Sequence, residues 1–213
     1  RASMKSYYDN VLLESSLDKK HISYIDFNKR HTISERKNNI CIDPITVIPK
    51  FTVKMDKVID SPNFLMTTTS LKKMNNYHFT QSFYKKVKDH INILTDTKSQ
   101  DKSNRNVPNI KTVDIPKLSN LNNEKNNYVK EATTYVDKHF KNNYGTTDNF
   151  VYPVNHEDAR NWLDHFILKK FQYFGSYQDA IIENEPYMFH SILSCSINIV
   201  LINPSEIIAI ISD

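Results

Sequence analysis

Phe174-Gly-Ser-Tyr-Gln-Asp-Ala180, followed by Phe189-His-Ser-Ile-Leu-Ser194 and Leu201-Ile-Asn-Pro-Ser-Glu206, is the stretch that decides how this chain is read. Its apolar residues, small hydroxyl residues and turn formers predict short helices separated by a turn that can receive an anion. A phosphate carries localised negative charge, and the free backbone amides at the start of a helix offer both donors and a favourable dipole. Ser191 and Ser194 stand three apart and are expected to face one phosphate from a first helical turn, with Leu193 turned into the core. Pro186, shortly upstream, is expected to interrupt the preceding helix. From the residues alone the plainer reading stays open, with Ser191 an ordinary N-cap and Ser194 an exposed helical serine.

Working back toward the N-terminus, Asn155 is a plausible N-cap, and Glu157 and Asp158 suit the positive end of a helix dipole. Trp162, Leu163, Phe166, Ile167 and Phe171 then form a buried face. The single tryptophan belongs to that stripe and is read as core. Lys169-Lys170 reads as a basic pair on a solvated helix face. Tyr128 to Phe140 predicts a core-facing helix with Val129, Ala132, Val136 and Phe140 on one stripe.

Residues 97–127 are rich in Asn, Lys and Ser and short of apolar periodicity, which predicts a mobile interdomain linker. Before it, an amphipathic helix is expected from about Ser3 to Leu17. His21 to Phe27 reads as a strand, and Asp43 to Pro49 as a weaker extended segment. Helix, strand and a mixed stretch make half of an α/β unit, and the absence of a strand ahead of the first helix suggests an entry in mid-domain.

Composition narrows the classes without choosing among them. The 213 residues are 39 % hydrophobic and 11 % aromatic, a globular balance with 12 Tyr and 11 Phe. A net charge of +4 fits a nucleic-acid partner and equally an ordinary surplus of surface lysine. Cys41 and Cys195 have no metal-ligand spacing, and Cys195 reads as a small buried hydrophobe. Asp179 and Glu185 are poor candidates for a catalytic carboxylate pair, since Glu185 precedes a proline at a turn. No apolar run approaches the about 20 residues of a membrane span, so a soluble intracellular location is the default expectation.

The block from Phe174 to Glu206 resembles the flavin-pyrophosphate segment of the photolyase/cryptochrome family. The closest likeness is to its deoxyribodipyrimidine photolyase-related branch, which includes the iron–sulfur bacterial cryptochromes and prokaryotic six-four photolyases. The shared pattern is Thr/His-Ser-x-Leu-Ser with a tyrosine roughly a dozen residues earlier, and His190 is the residue common in that branch. Arg1 to Asp9 with Ser23-Tyr-Ile-Asp26 resembles a helix and strand of the family's N-terminal antenna domain. Ser61-Pro-Asn-Phe-Leu65, Phe83-Tyr84 and Ile93-Leu-Thr-Asp96 continue the likeness. The Gly-Gly-Lys-Trp-Ser/Asn-Phe-Asp stretch that usually precedes Asn104-Arg105 is missing.

The resemblance implies an α/β fold class: a partial parallel α/β antenna-like domain with its connecting region (1–96), a polar linker (97–127), and the first helices of an all-helical flavin-binding domain (128–213). It implies FAD as cofactor in the completed protein. Tyr177 would donate its hydroxyl to a flavin phosphate, while His190, Ser191, Ile192, Leu193 and Ser194 would wrap the pyrophosphate by side chain and amide. Asn198 is a further candidate, and Asn203 a weaker one. An iron–sulfur cluster and an antenna pigment occur in the family, but no ligands for them are identifiable here. The implied function is light-driven repair of ultraviolet pyrimidine photoproducts in DNA. Its partners would be DNA and a missing C-terminal half, with no membrane, and the chain would be an internal or split fragment that is inactive without that half. A cryptochrome-type photoreceptor and a degenerate fragment without cofactor are the alternatives.

Overall fold

The computed structural model describes residues 40–42, 57–74, 80–96, 101–106, 109, 113–118, 126–148 and 150–212. The expected helix at Ser3 to Leu17, the strand at His21 to Phe27 and the extended segment at Asp43 to Pro49 all lie outside them. The chain divides into two compact units, one spanning residues 12–95 and the other containing residues 96–213. Among the described residues the protein is mostly helical.

In the first unit, β1 (Ile40–Ile42) and β2 (Lys57–Ile59) pair in parallel, with Ile40 opposite Lys57 and Ile42 opposite Ile59. This one parallel pair is what the described residues display of the expected α/β domain. Asp60 then turns the chain into α1 (Thr68–Lys73), accepting from both the amide and the hydroxyl of Thr68. Those two bonds, the hydroxyl's first, hold the Asp60 carboxyl below the usual carboxylate range. Thr67 caps the same helix through its hydroxyl, which accepts from the Ser70 amide at 3.0 Å. The unit also contains α2 (Thr80–Ile91), whose Lys88 reaches past the helix end to the Leu94 carbonyl at 2.8 Å.

In the second unit, α3 (Asn127–His139) starts at Asn126, whose side chain accepts from the amides of Tyr128 and Val129. The helix forms where the stripe predicts it, but only its N-terminal half, through Val129 and Ala132, joins a core cluster. Val129 is buried against Val154, whereas Val136 and Phe140 stay 39 % and 48 % exposed. Next, α4 (His156–Lys169) is capped by Asn155 as expected, with Oδ1 accepting from the Asp158 amide at 2.8 Å. Its inward face of Ala159, Trp162, Leu163 and Phe166 forms the main core with Leu193, Leu201 and Ile202. Burying these large side chains supplies the dominant driving force for this unit. α5 (Phe171–Tyr177), α6 (Ser194–Asn198) and α7 (Pro204–Ser212) complete it.

The described part of the stretch expected to be a mobile linker is tied to this helical unit. Asn106 donates its amide to the Ser176 carbonyl at 3.2 Å, and Asp179 donates to the Asn104 carbonyl at 3.0 Å. Val113 and Ile115 pack beside Ala180, Met188 and Phe189, while Leu118 packs on the main core. Val113, Ile115 and Leu118 stand at irregular spacing that gives no periodic signal, yet each finds a core neighbour.

Candidate anion-binding turn

The turn between α5 and α6 is held from both sides by aromatic residues. Phe189 is buried between Tyr173 and Tyr177, with ring centroids 5.0 and 5.3 Å away. Tyr177 therefore stands beside the segment that carries His190. On the other side Leu193 enters the main core, as expected, and Trp162 donates its indole N–H to the Ser191 carbonyl at 3.2 Å. Both His190 and Ser191 are half-buried between these anchors.

The backbone is forced into conformations that side chains disfavour. Asn184, Met188 and Ile192 have φ of 64°, 35° and 55°. Asparagine adopts that region readily, but a β-branched isoleucine there is an outlier costing on the order of 1–3 kcal/mol. It persists because Phe189 and Leu193 fix the chain on both sides.

Ser191 and Ser194 do not share a helical turn. α6 begins at Ser194 with Leu193 as its N-cap, so Ser191 lies outside it, and its hydroxyl turns toward the Leu193 amide at 3.5 Å. Ser194 and Asn198 are exposed at the two ends of α6, four residues apart and so on one face. No side chain caps α6, and its first backbone bond runs from the Ile197 amide to the Leu193 carbonyl. The amides of Ser194, Cys195 and Ser196 precede that bond.

Cys195, expected to be buried, is a free, exposed thiol, and its neighbour Ser196 is 1 % exposed with a hydroxyl that has no hydrogen-bond partner. Sequence reading missed Ser196, although its spacing of three from Leu193 places it on the inward face. Asn203 serves another purpose, since its Oδ1 caps α7 by accepting from the Glu206 amide at 2.9 Å. Asp179 forms an exposed pair with Arg105 at 3.7 Å, a contact of little energetic weight. Gly175 lies inside α5 with nothing within 4 Å of where a Cβ would stand.

Lys169 is exposed as expected, but Lys170 is 2 % exposed. The reason is helical phase. Lys170 follows Trp162 and Phe166 by eight and four residues, on the face that α4 buries. Burial alone pushes its ammonium below the ordinary lysine value. Among the described residues no group of three His, Cys, Asp or Glu side chains is placed to hold a metal, and no helix is long and apolar enough to cross a membrane.

Residues 3–152, more than two thirds of the chain, match the family model described as "deoxyribodipyrimidine photo-lyase-related protein". A "(6-4) photolyase" of Agrobacterium fabrum (strain C58) is 35 % identical over 78 residues, which are 37 % of this chain and 15 % of that protein. The turn from Tyr177 to Asn198 lies beyond the stretch that the family model matches.

Proposed function

We propose, from the premise that this chain belongs to the deoxyribodipyrimidine photo-lyase-related family, that it is part of a flavoprotein that repairs ultraviolet pyrimidine photoproducts in DNA by light. The observation that carries this reading is the family match over residues 3–152. The relative's description as a (6-4) photolyase favours repair over a photoreceptor role, with DNA as the partner. Because the matched stretch is 15 % of that protein, the rest of the activity would come from polypeptide outside it.

Within this reading, the turn is one wall of an FAD site. Tyr177, His190, Ser191, Ser194 and Asn198 would face the pyrophosphate by side chain. The strained Ile192 and the buried Leu193 would contribute backbone only. The fit rests on three features: the uncapped start of α6, the unpartnered Ser196 hydroxyl, and the positive φ of Ile192. Strain of this kind clusters at ligand sites, where the surroundings over-determine it. When bound, FAD supplies the light-absorbing redox centre from which an electron passes to the lesion. The chain's own work is to hold the phosphates and exclude water around them.

The test is the visible spectrum of the purified chain after incubation with FAD, alone and joined to its adjoining reading frame, beside a Ser191→Ala/Ser194→Ala double variant. Flavin retained by the joined protein and lost from the variant is expected. Soluble, folded protein that retains no flavin in either form would overturn the reading.

A further inference from the structure

The positive charge of the chain is unevenly spread. Between Asp60 and Asp89 the sequence holds Lys72, Lys73, Lys85, Lys86 and Lys88 and no acidic residue. That local surplus exceeds the net charge of +4 carried by the whole chain, so the other residues together bring no positive excess. All five lysines belong to the first unit, two in the last turn of α1 and three in α2.

Helical spacing gathers part of this charge on one stripe. Gln81, Tyr84, Lys85 and Lys88 follow one another at the three- and four-residue steps that keep side chains on one face of α2. The flank carrying Phe83, Val87 and Ile91 is half-buried, whereas Gln81, Tyr84 and Lys85 are exposed. Lys88 reaches over the Tyr84 ring, its ammonium 5.4 Å from the centroid, while donating to the Leu94 carbonyl at 2.8 Å. The tyrosine is thereby held by a cation of its own helix and is still 56 % exposed. Asp89, the one acid in α2, follows Lys85 by four residues, a surface spacing of little energetic weight. Lys72 and Lys73 are exposed as well, and no ion pair among the described residues engages them or Lys85.

Lysines and an exposed, fixed ring at such spacing match the two needs of an unpaired nucleic-acid strand. Cations neutralise phosphates and release their counterions, and the ring is a platform on which any base stacks. An anionic membrane fits less well, because a helix lying on lipid presents an apolar face to it, and the apolar flank of α2 is already half-buried in the fold. We infer that α1 and α2 carry a sequence-independent contact surface for a nucleic acid with unpaired bases, Lys72, Lys73 and Lys85 meeting phosphates and Tyr84 a base. This surface belongs to a different unit from the candidate turn. It rests on the repair reading only for the choice of DNA as the nucleic acid.

Fluorescence anisotropy of a dye-labelled, mixed-sequence single strand of DNA, titrated with the full chain between about 50 and 200 mM salt, is the test. The wild type is expected to bind with an affinity that falls steeply as salt rises. Lys72→Gln/Lys73→Gln/Lys85→Gln is expected to flatten the logarithmic salt dependence by about 2, as the loss of three phosphate contacts on a single strand requires. Lys138→Gln/Lys141→Gln/Lys169→Gln removes the same charge from exposed positions of the second unit and is expected to keep the wild-type slope. Tyr84→Ala is expected to weaken binding at least about fivefold with the slope unchanged. A wild-type chain indifferent to the strand, two lysine variants that flatten the slope alike, or an unaffected Tyr84→Ala chain overturns the inference. So does capture of the wild type by phosphatidylserine vesicles in preference to the strand.

Should the first lysine variant fail to fold, acylation of the wild-type amines by an N-hydroxysuccinimidyl ester, read by mass spectrometry, decides in its place. The strand must shield Lys72, Lys73 and Lys85 more than Lys138, Lys141 and Lys169, and equal shielding overturns the inference. Flavin absorbance recorded on the same preparations separates the two readings. Strand binding through these lysines with no flavin retained sinks the flavin reading alone, whereas flavin retained without strand binding sinks this one alone.

Discussion

Trp162 donates its indole N–H to the carbonyl oxygen of Ser191 across 3.2 Å, tying the main core to the turn that carries the candidate site. The ring is 2 % exposed and lies nearly parallel to Tyr152, with centroids 6.5 Å apart. One side chain therefore packs the core and positions the Ser191 peptide.

Trp162→Phe keeps most of the apolar volume and removes the donor. The loss combines a small cavity with a carbonyl deprived of its partner, about 2–3 kcal/mol together. Urea unfolding of the variant should show that loss with an unchanged slope. A change below about 0.5 kcal/mol would mean that the bond does not constrain the turn.

The helices of the second unit were legible because their signals are local. Asn155 and the Glu157-Asp158 pair marked the start of α4, and the spacing of Trp162, Leu163 and Phe166 marked its buried face. The same spacing carries on to Lys170, where a charged residue in a basic pair read as solvent-facing and burial followed helical phase instead. Cys195 was misplaced for a like reason, since residue type favoured the cysteine inside while helical phase buries its neighbour Ser196. Residues 113–118 could not be read as docked, because isolated apolar residues such as Val113, Ile115 and Leu118 carry no period. The left-handed conformation of Ile192 has no sequence signal at all, as it is imposed by the packing of Phe189 and Leu193.

Gly175 sits inside α5 with open space over its Cα and no positive φ. Nothing within the described residues needs a glycine there. Gly175→Ala should stabilise the isolated chain by about 0.5–1 kcal/mol through helix propensity and reduced unfolded-state entropy. Chemical denaturation checks the sign. If the open space accommodates the cofactor, the same variant should also bind FAD more weakly than wild type.

The largely buried side chain of Lys170 gives the fold a pH dependence whose sign follows from its direction of shift. Its folded pKa lies below the ordinary 10.5, through burial and no other named cause. The unfolded chain thus keeps the proton to higher pH than the folded one. The cost is full below the folded pKa and is relieved as pH rises through the window ending at 10.5. The difference in urea midpoint between Lys170→Met and wild type should therefore be largest near neutral pH and shrink toward the alkaline end. Other groups titrate alike in both proteins and cancel in the difference. Parallel curves would show that Lys170 is already compensated.

Ser196 offers the sharpest separation of a packing role from a binding one. Its hydroxyl is buried, has no hydrogen-bond partner, and occupies the third position of α6, ahead of the first backbone bond of that helix. A hydroxyl removed from water without a partner costs free energy, so Ser196→Ala should raise the stability of the ligand-free chain by about 1 kcal/mol. The methyl group fits wherever the serine Cβ fits, and no new cavity of consequence forms. If the hydroxyl meets a bound phosphate, the gain in the free chain comes with a smaller stabilisation by pyrophosphate, so the two midpoint curves converge as the anion is added. If its role is packing alone, the curves stay separated by a constant amount. Thermal unfolding of both proteins across a pyrophosphate titration distinguishes these outcomes, and a less stable Ser196→Ala chain without anion would show that the hydroxyl is satisfied within the fold.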